Sequence, residues 1–146
     1  MKKVVNKRYA KGKKDYENVI NTIDKKGKCP FCKNNLIYHK NPILKKYKGW
    51  LLTKNSWPYK NTNHHLIIIS DKHKEEFSQL TLNDFRAVRI LVNWAIKKFN
   101  IEGGGIALRF GNTDYTGATV CHLHFHLITP KINKQKLPKT VTFPIG

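Results

Sequence analysis

Cys121-His122-Leu123-His124-Phe125-His126-Leu127-Ile128 alternates imidazole with hydrocarbon at a period of two. Read as a β-strand, this stretch sets His122, His124 and His126 on one face and Leu123, Phe125 and Leu127 on the other. The strand then belongs to a sheet with one face buried and a histidine-lined cleft on the opposite face. Alternate residues on one strand face lie about 6.6 Å apart, so neighbouring imidazoles can share a ligand. His122 and His126, about 13 Å apart on the same spacing, do not readily hold one ion. The strand is therefore expected to divide labour among its rings. One histidine on a wet face can simply replace another polar residue. Three in register imply chemistry, because imidazole titrates near pH ~6.5 and serves as nucleophile, acid, base or metal ligand.

The 146-residue chain, 40% hydrophobic, fits a single domain with one core. A basic N-terminal arm (about 1–14), carrying Lys2, Lys3, Lys7, Arg8, Lys11, Lys13 and Lys14, is expected to be a solvated or surface-lying segment. A basic C-terminal tail (about 131–146) has no clear periodicity. The N-terminal region lacks an apolar run of signal-peptide length, and no stretch approaches the ~20 apolar residues that span a bilayer. A cytoplasmic protein with no membrane partner is expected. The formal charge of +19 favours anionic partners such as nucleotides or nucleic acid. Most of it is Lys accompanied by Asn and Ile, a composition that AT-rich codons also produce, although Glu, with similar codons, is scarce. Cys29, Cys32 and Cys121 form no framework of paired spacings, so metal binding, redox work or inert burial is expected in place of structural disulfides.

Along the chain, Tyr16, Val19, Ile20 and Ile23 predict a helix over 15–26 stopped by Gly27, followed by the Cys29-Pro30-Phe31-Cys32 knuckle. Leu36 to His39 and Trp50 to Thr53 read as short strands, and His65 to Ile69 as a central one. Thr81 with Asp84 forms a capping-box start to a long helix reaching Phe99. Ile106, Leu108 and Phe110 alternate as a further strand. The small and polar loop from Asn112 to Thr119 is of a kind that turns backbone N–H groups toward an anion.

The His122-Leu-His124-Phe-His126-Leu-Ile segment resembles the motif of the histidine triad (HIT) family. CPFC, then His65-Leu-Ile-Ile-Ile-Ser-Asp-Lys-His73, then a long helix, then Asn112 to Thr119 follow that family's order, over roughly Cys29 to Pro130. The resemblance implies an α+β, HIT-like fold, with an antiparallel sheet packed against one long helix and shorter helices. It implies a nucleotidyl hydrolase acting at the α-phosphate of dinucleoside polyphosphates, nucleoside phosphoramidates or related adenylated compounds, through a nucleotidyl-histidine. On this chain the nucleophile would be His124, with His126 and His65 donating to phosphate oxygens and Thr119 offering a hydroxyl. Asn112 and the backbone about Gly117 and Ala118 would complete the cradle, and Asn55 stands near the position where relatives place an acidic ribose ligand. Many relatives carry Gln where Ala118 stands. Third-position His126, often Gln in transferases, tilts the expectation toward hydrolysis.

By the same resemblance, Cys29, Cys32, His73 and His122 are the ligands of a structural zinc, and two thiolates with two imidazoles suit a closed tetrahedral site. Homodimers are common among such proteins, so a homodimer is a further expectation. Three other readings compete. A glutaredoxin-type thiol pair at CPFC needs a strand before Cys29 and a helix after Cys32, whereas the pattern puts a helix before. A catalytic metal on His122 and His124 needs a nearby carboxylate, for which Asp114 is the close candidate. A binding module for nucleotide or nucleic acid, or an enzyme that deadenylates nucleic acid ends, would use the charge directly. Cys121 is expected to be a small buried side chain with no special role.

Overall fold

The structure, a computed structural model, describes residues 3–10 and 14–146. Five strands form one antiparallel sheet in the order β1-β2-β3-β5-β4: β1 (Ile43–Tyr47), β2 (Trp50–Lys54), β3 (Thr62–Ser70), β4 (Gly105–Leu108) and β5 (His124–Pro130). Helix α1 (Lys14–Lys26) precedes the sheet, α2 (Leu82–Phe99) links β3 to β4, and the single turn α3 (Thr113–Thr116) lies before β5. No helix among the described residues is long and apolar enough to cross a membrane. The α+β class and the antiparallel sheet stand as read from the sequence.

The two faces of the sheet follow from strand pairing. Leu66 opposite Leu127 and Ile68 opposite Phe125 point toward α2. They pack with Trp50 and Leu52 against Val88, Leu91, Val92 and Ala95, the apolar stripe of that helix. Ile69 opposite His124, Ile67 opposite His126 and His65 opposite Ile128 point the other way. On that side Leu51, Ile67 and Ile69 meet Phe31 and Leu36. Ile20 and Ile23 of α1 close a separate small cluster with Val5, Cys29 and Val120.

Helix α2 begins as the capping box predicts, with the Thr81 hydroxyl accepting from Asp84 N–H and the Asp84 carboxylate accepting from Thr81 N–H. That carboxylate also accepts from Trp50 Nε1 at 2.9 Å and pairs with Lys74. One side chain thus ties the helix start to β2 and to the segment after β3. Burial alone would raise its pKa, but the bonds from Lys74, Thr81 and Trp50 outweigh burial and hold the carboxyl far below the usual range.

Several expectations change. Lys33–Tyr38 is a 3-10 helix where Leu36–His39 read as a strand; Asn35 N–H bonds back to Cys32 O and His39 N–H to Leu36 O, which satisfies the backbone locally. Strand β1 was hidden because its adjacent Lys45 and Lys46 break any apolar alternation between Ile43-Leu44 and Tyr47. The N-terminal arm is not a solvated tail where it is described. Val5 and Asn6 are buried, Asn6 N–H bonds to Thr119 O at 2.7 Å, and Cys121 N–H bonds to Val4 O at 2.9 Å. Lys2, Lys11 and Lys13 of the arm lie outside the described residues. The C-terminal tail also folds back: Asn61 donates to Thr140 O and Arg109 to Pro144 O.

Replacing Asp84 with Asn should cost about 2 kcal/mol at pH 7, because it removes a charged acceptor with several partners. A carboxyl whose folded pKa is depressed contributes stability above its unfolded pKa of 3.8 and loses it as the pH falls toward the folded value. Urea titrations of both proteins should therefore converge in strong acid. A gap as wide at pH ~2 as at pH 7 would contradict this linkage.

Candidate active site and metal centre

Strand β5 starts at His124, not His122. Before it, Leu123 N–H bonds to Lys74 O at 2.7 Å, outside the ladder, and the chain bends so that His122 leaves the sheet. The three histidines therefore do not share one strand face, a correction to the simple alternation. His124 and His126 remain neighbours in register, with ring centroids 4.8 Å apart.

His122 joins Cys29, Cys32 and His73, and one ligand atom from each lies within 4.8 Å of the others. Nδ1 of His122 is 3.3 Å from Cys29 Sγ and 3.8 Å from Cys32 Sγ, and Nδ1 of His73 is 3.4 Å from Cys32 Sγ. A tetrahedral zinc with ordinary Zn–S and Zn–N bonds would space S and N about 3.6 Å apart. The distal nitrogens are already engaged: His122 Nε2–H donates to Ser70 O at 2.7 Å and His73 Nε2–H to Glu75 Oε1 at 2.7 Å. Both rings thereby present an Nδ1 lone pair to the thiols, the outer-shell arrangement that orients metal-binding imidazoles. Burial pushes the Cys29 thiol up to about 12, so without a cation it stays protonated at neutral pH. The donor set fits a closed, tetrahedral metal site.

On the other side of Phe31, whose ring lies edge-on to both His122 and His124, a cleft of about 320 Å³ opens over the sheet. His124 Nδ1–H donates to the His122 carbonyl at 2.6 Å, leaving its Nε2 with a lone pair. Burial lowers its pKa to about 4; the carbonyl opposes that shift and the Arg109 charge adds to it. His124 is thus a neutral base at pH 7.

A second relay fixes the remaining tautomers. Tyr59 N–H donates to His65 Nδ1 at 3.0 Å, so His65 carries its proton on Nε2 and donates to His126 Nδ1 at 2.8 Å. His126 then carries its proton on Nε2, which is buried without a partner. An unpartnered buried donor at the end of an oriented relay is suited to a ligand acceptor. The Asn55 amide nitrogen lies 3.1 Å from His65 Nε2, a contact and not a bond in this tautomer, because both atoms are donors; Asn55 Oδ1 accepts from Trp57 N–H.

The cleft brings together His124, His126, Asn55, Gly117, Ala118 and Thr119, with His65 behind His126. Thr119 and Tyr16 both line the cleft. The loop does not aim its N–H groups outward at Gly117 and Ala118: the first bonds to Thr113 O and the second to the Thr116 hydroxyl. Asn112 does not line the cleft, because its side chain caps α3 by accepting from Asp114 N–H. Asp114, the carboxylate that a catalytic metal on His122 and His124 required, instead bonds Asn6 and Lys3. Sequence reading missed Arg109, Tyr59 and the aromatic wall of Tyr16 and Trp57, ring centroids 4.4 Å apart. The wall's sequence signal was weak: Tyr16 read as a core position of the 15–26 helix, and Trp57 stands next to Pro58 in a stretch with no apolar period.

An α+β protein with a five-stranded antiparallel sheet, His124 and His126 facing its cleft and His122 turned to a Cys/His cluster beside it, defines a narrow class. The chain has the histidine triad fold. A histidine triad nucleotide-binding protein from Candida albicans superposes with a TM-score of 0.58 at 20% identity, covering 82% of this chain and 85% of that one. A HIT family hydrolase from Clostridium thermocellum gives 0.55 at 21%, covering 75% and 93%. Plasmodium falciparum diadenosine triphosphate hydrolase gives 0.52 at 25%, covering 62% of each chain. The sequence matches no family model and no curated protein.

Burial, then the charges of His124, His65 and Arg109, hold His126 well below its ordinary 6.5. Nitrogen NMR should find it neutral, with the proton on Nε2, at pH about 6.5, where a free imidazole is half protonated. Because the unfolded imidazole takes up a proton near 6.5, this group lowers stability as the pH falls below that value. A ring titrating near 6.5 in the folded protein would overturn the assigned relay.

Proposed function

We propose that this chain is a nucleotide hydrolase that cleaves at an α-phosphate through a nucleotidyl-histidine. The observation that carries the reading is the paired orientation of two imidazoles: a lone pair on His124 Nε2 and, next to it, an unpartnered N–H on His126 Nε2. The first is a nucleophile, the second an acceptor-seeking donor for a non-bridging phosphate oxygen. In the first step the His124 Nε2 pair forms a bond to the α-phosphorus, and the bond to the leaving oxygen or nitrogen breaks, its electron pair departing with that group. Positive charge then developing on the ring is offset by the His122 carbonyl that holds Nδ1–H. Water displaces His124 in the second step and restores the free ring. Thr119, beside Tyr16, offers its hydroxyl to the phosphate or leaving group, and Asn55 faces the ribose. The half of the cleft lined by Tyr16, Trp57 and Phe31 would take the base.

Cys29, Cys32, His73 and His122 would hold zinc, which would supply structural charge and geometry, not a reacting species. Their contribution to turnover is positional, since the backbone of His122 orients His124. Zinc binding must displace thiol protons and so weakens as pH falls. The resemblance further supports a homodimer in a cytoplasmic setting.

A second reading is favoured by charge distribution. Between Asp24 and Asp71 there is no acidic residue, while lysines recur throughout. Such a surface would give an adenylated nucleic acid end extra affinity, or serve a binding module for nucleic acid, and either would weaken steeply with salt.

Incubation with diadenosine polyphosphates and adenosine phosphoramidates should yield an acid-labile nucleotidyl adduct by intact mass, absent in His124→Ala. The variant's kcat should fall by roughly a thousandfold or more; wild-type turnover in it would sink the mechanism. Metal analysis should give near-stoichiometric zinc that is lost in Cys32→Ser, together with a lower Tm. Full metal content in that variant would rule out the four-ligand site.

A further inference from the structure

The chain has 28 Lys and Arg residues, and among the described ones only Arg109 lines the cleft. It follows β4 directly, and its charge reaches both His124 and His126, lowering each. Its fork is held from outside the sheet. Nε donates to Pro144 O at 2.9 Å, Nη2 donates to the same oxygen, and Nη1 donates to Tyr59 Oη at 3.0 Å. Phe143 stacks on the guanidinium, 3.8 Å from its carbon to the ring centroid, and turns its edge to His126 at 5.0 Å. The strap ends with Gly146 against Gly117, where a Cβ would come within 2.9 Å of the Gly146 carbonyl.

Two N–H donors converging on a single neutral carbonyl oxygen leave a guanidinium poorly matched. The same fork fits two oxygens of a phosphate, with full opposite charge. Next to it, the buried His126 Nε2–H has no acceptor while the Phe143 ring packs against that imidazole. Both groups suited to phosphate are therefore held by consecutive residues of one strap, through one backbone carbonyl and one ring.

We infer that Arg109 is the receptor for a phosphate leaving group, and that the strap from Phe143 to Gly146 is a cover which substrate displaces. This inference rests on the proposed hydrolase and deepens it. As the bond from the α-phosphorus to the bridging oxygen breaks, the departing phosphate gains negative charge, which the guanidinium neutralises. An amine leaving group takes up a proton from solvent as its bond breaks, so it departs neutral and gains no such charge. The site therefore selects polyphosphate-linked nucleotides over phosphoramidates.

Inorganic tripolyphosphate is the direct probe. Titrated into the full-length protein, it should bind, shift the Arg109 Nε–H resonance and move the Phe143 ring signals at the same concentrations. Arg109→Ala should weaken that binding roughly 30-fold or more, with Arg109→Lys intermediate. In turnover, Arg109→Ala should lower the ratio of kcat/KM for diadenosine triphosphate to that for adenosine phosphoramidate by at least about tenfold, and Phe143→Ala should lower KM for the dinucleotide. Tripolyphosphate that fails to bind, or binds with the Arg109 and Phe143 signals unmoved, overturns the inference. So does an unchanged selectivity ratio in a folded Arg109→Ala protein. If the wild type turned over neither substrate, the hydrolase reading would fall, while the tripolyphosphate titration would still decide the role of Arg109.

Discussion

The 2.6 Å bond from His124 Nδ1–H to the His122 carbonyl joins the two chemically distinct halves of this molecule. His122 contributes twice. Its ring faces the two cysteines, and its backbone sets which nitrogen of the next histidine is free. The ring cannot rotate without losing Ser70 O, and the carbonyl cannot move without the ring. A tautomer in the cleft is thus decided by a thiol cluster on the other side of Phe31. The price is one interrupted strand, since a regular β5 extended to His122 would have put three rings in a row and left Cys29 and Cys32 with a single imidazole.

The cleft is otherwise kept free of fixed charge. Its imidazoles are neutral because they are buried, and no lysine among the described residues lines it. One guanidinium stands where the rings meet the strap. A low-polarity wall with few oriented donors strengthens each of them, because little water competes and little dielectric screening intervenes. The +19 charge of the surface and the near-neutral cleft are separate features of the chain.

The fold was legible in the sequence to the extent that periodicity was strong. Helix α2, its capping box, β2, β3 and β5 follow from alternation or helical spacing, and each buries the face that the pattern assigns. β1 was not legible, because lysines on a strand edge look like any solvated segment. The 3-10 turn after CPFC was misread because short apolar runs do not distinguish extended chain from tight helix. In the site, His124 and His126 could be grouped by their alternation, and His65 and the four metal donors only through resemblance, being far apart in sequence. Asn112 caps α3 and does not line the cleft, and sequence could not show this because a residue that begins such a loop is also an ordinary helix cap. Arg109 could not be found from sequence, since its partners come from residues 59, 143 and 144 and no local spacing records them.

The pairing of Val4 to Asn6 with Thr119 and Cys121 bears on how the protein comes to be made. These bonds join backbone groups separated by more than a hundred positions, and the loop carrying Thr119 leans on them. Contacts of such separation pay their loop-closure entropy late and slow the search. In a nascent chain Val4 and Asn6 are without these partners until residues 119 and 121 have left the ribosome. The loop carrying Thr119 is therefore pinned only when both ends of this pairing are present, and a chain interrupted before residue 121 lacks not only that pairing but β5 as well, and with it Phe125 and Leu127 of the core.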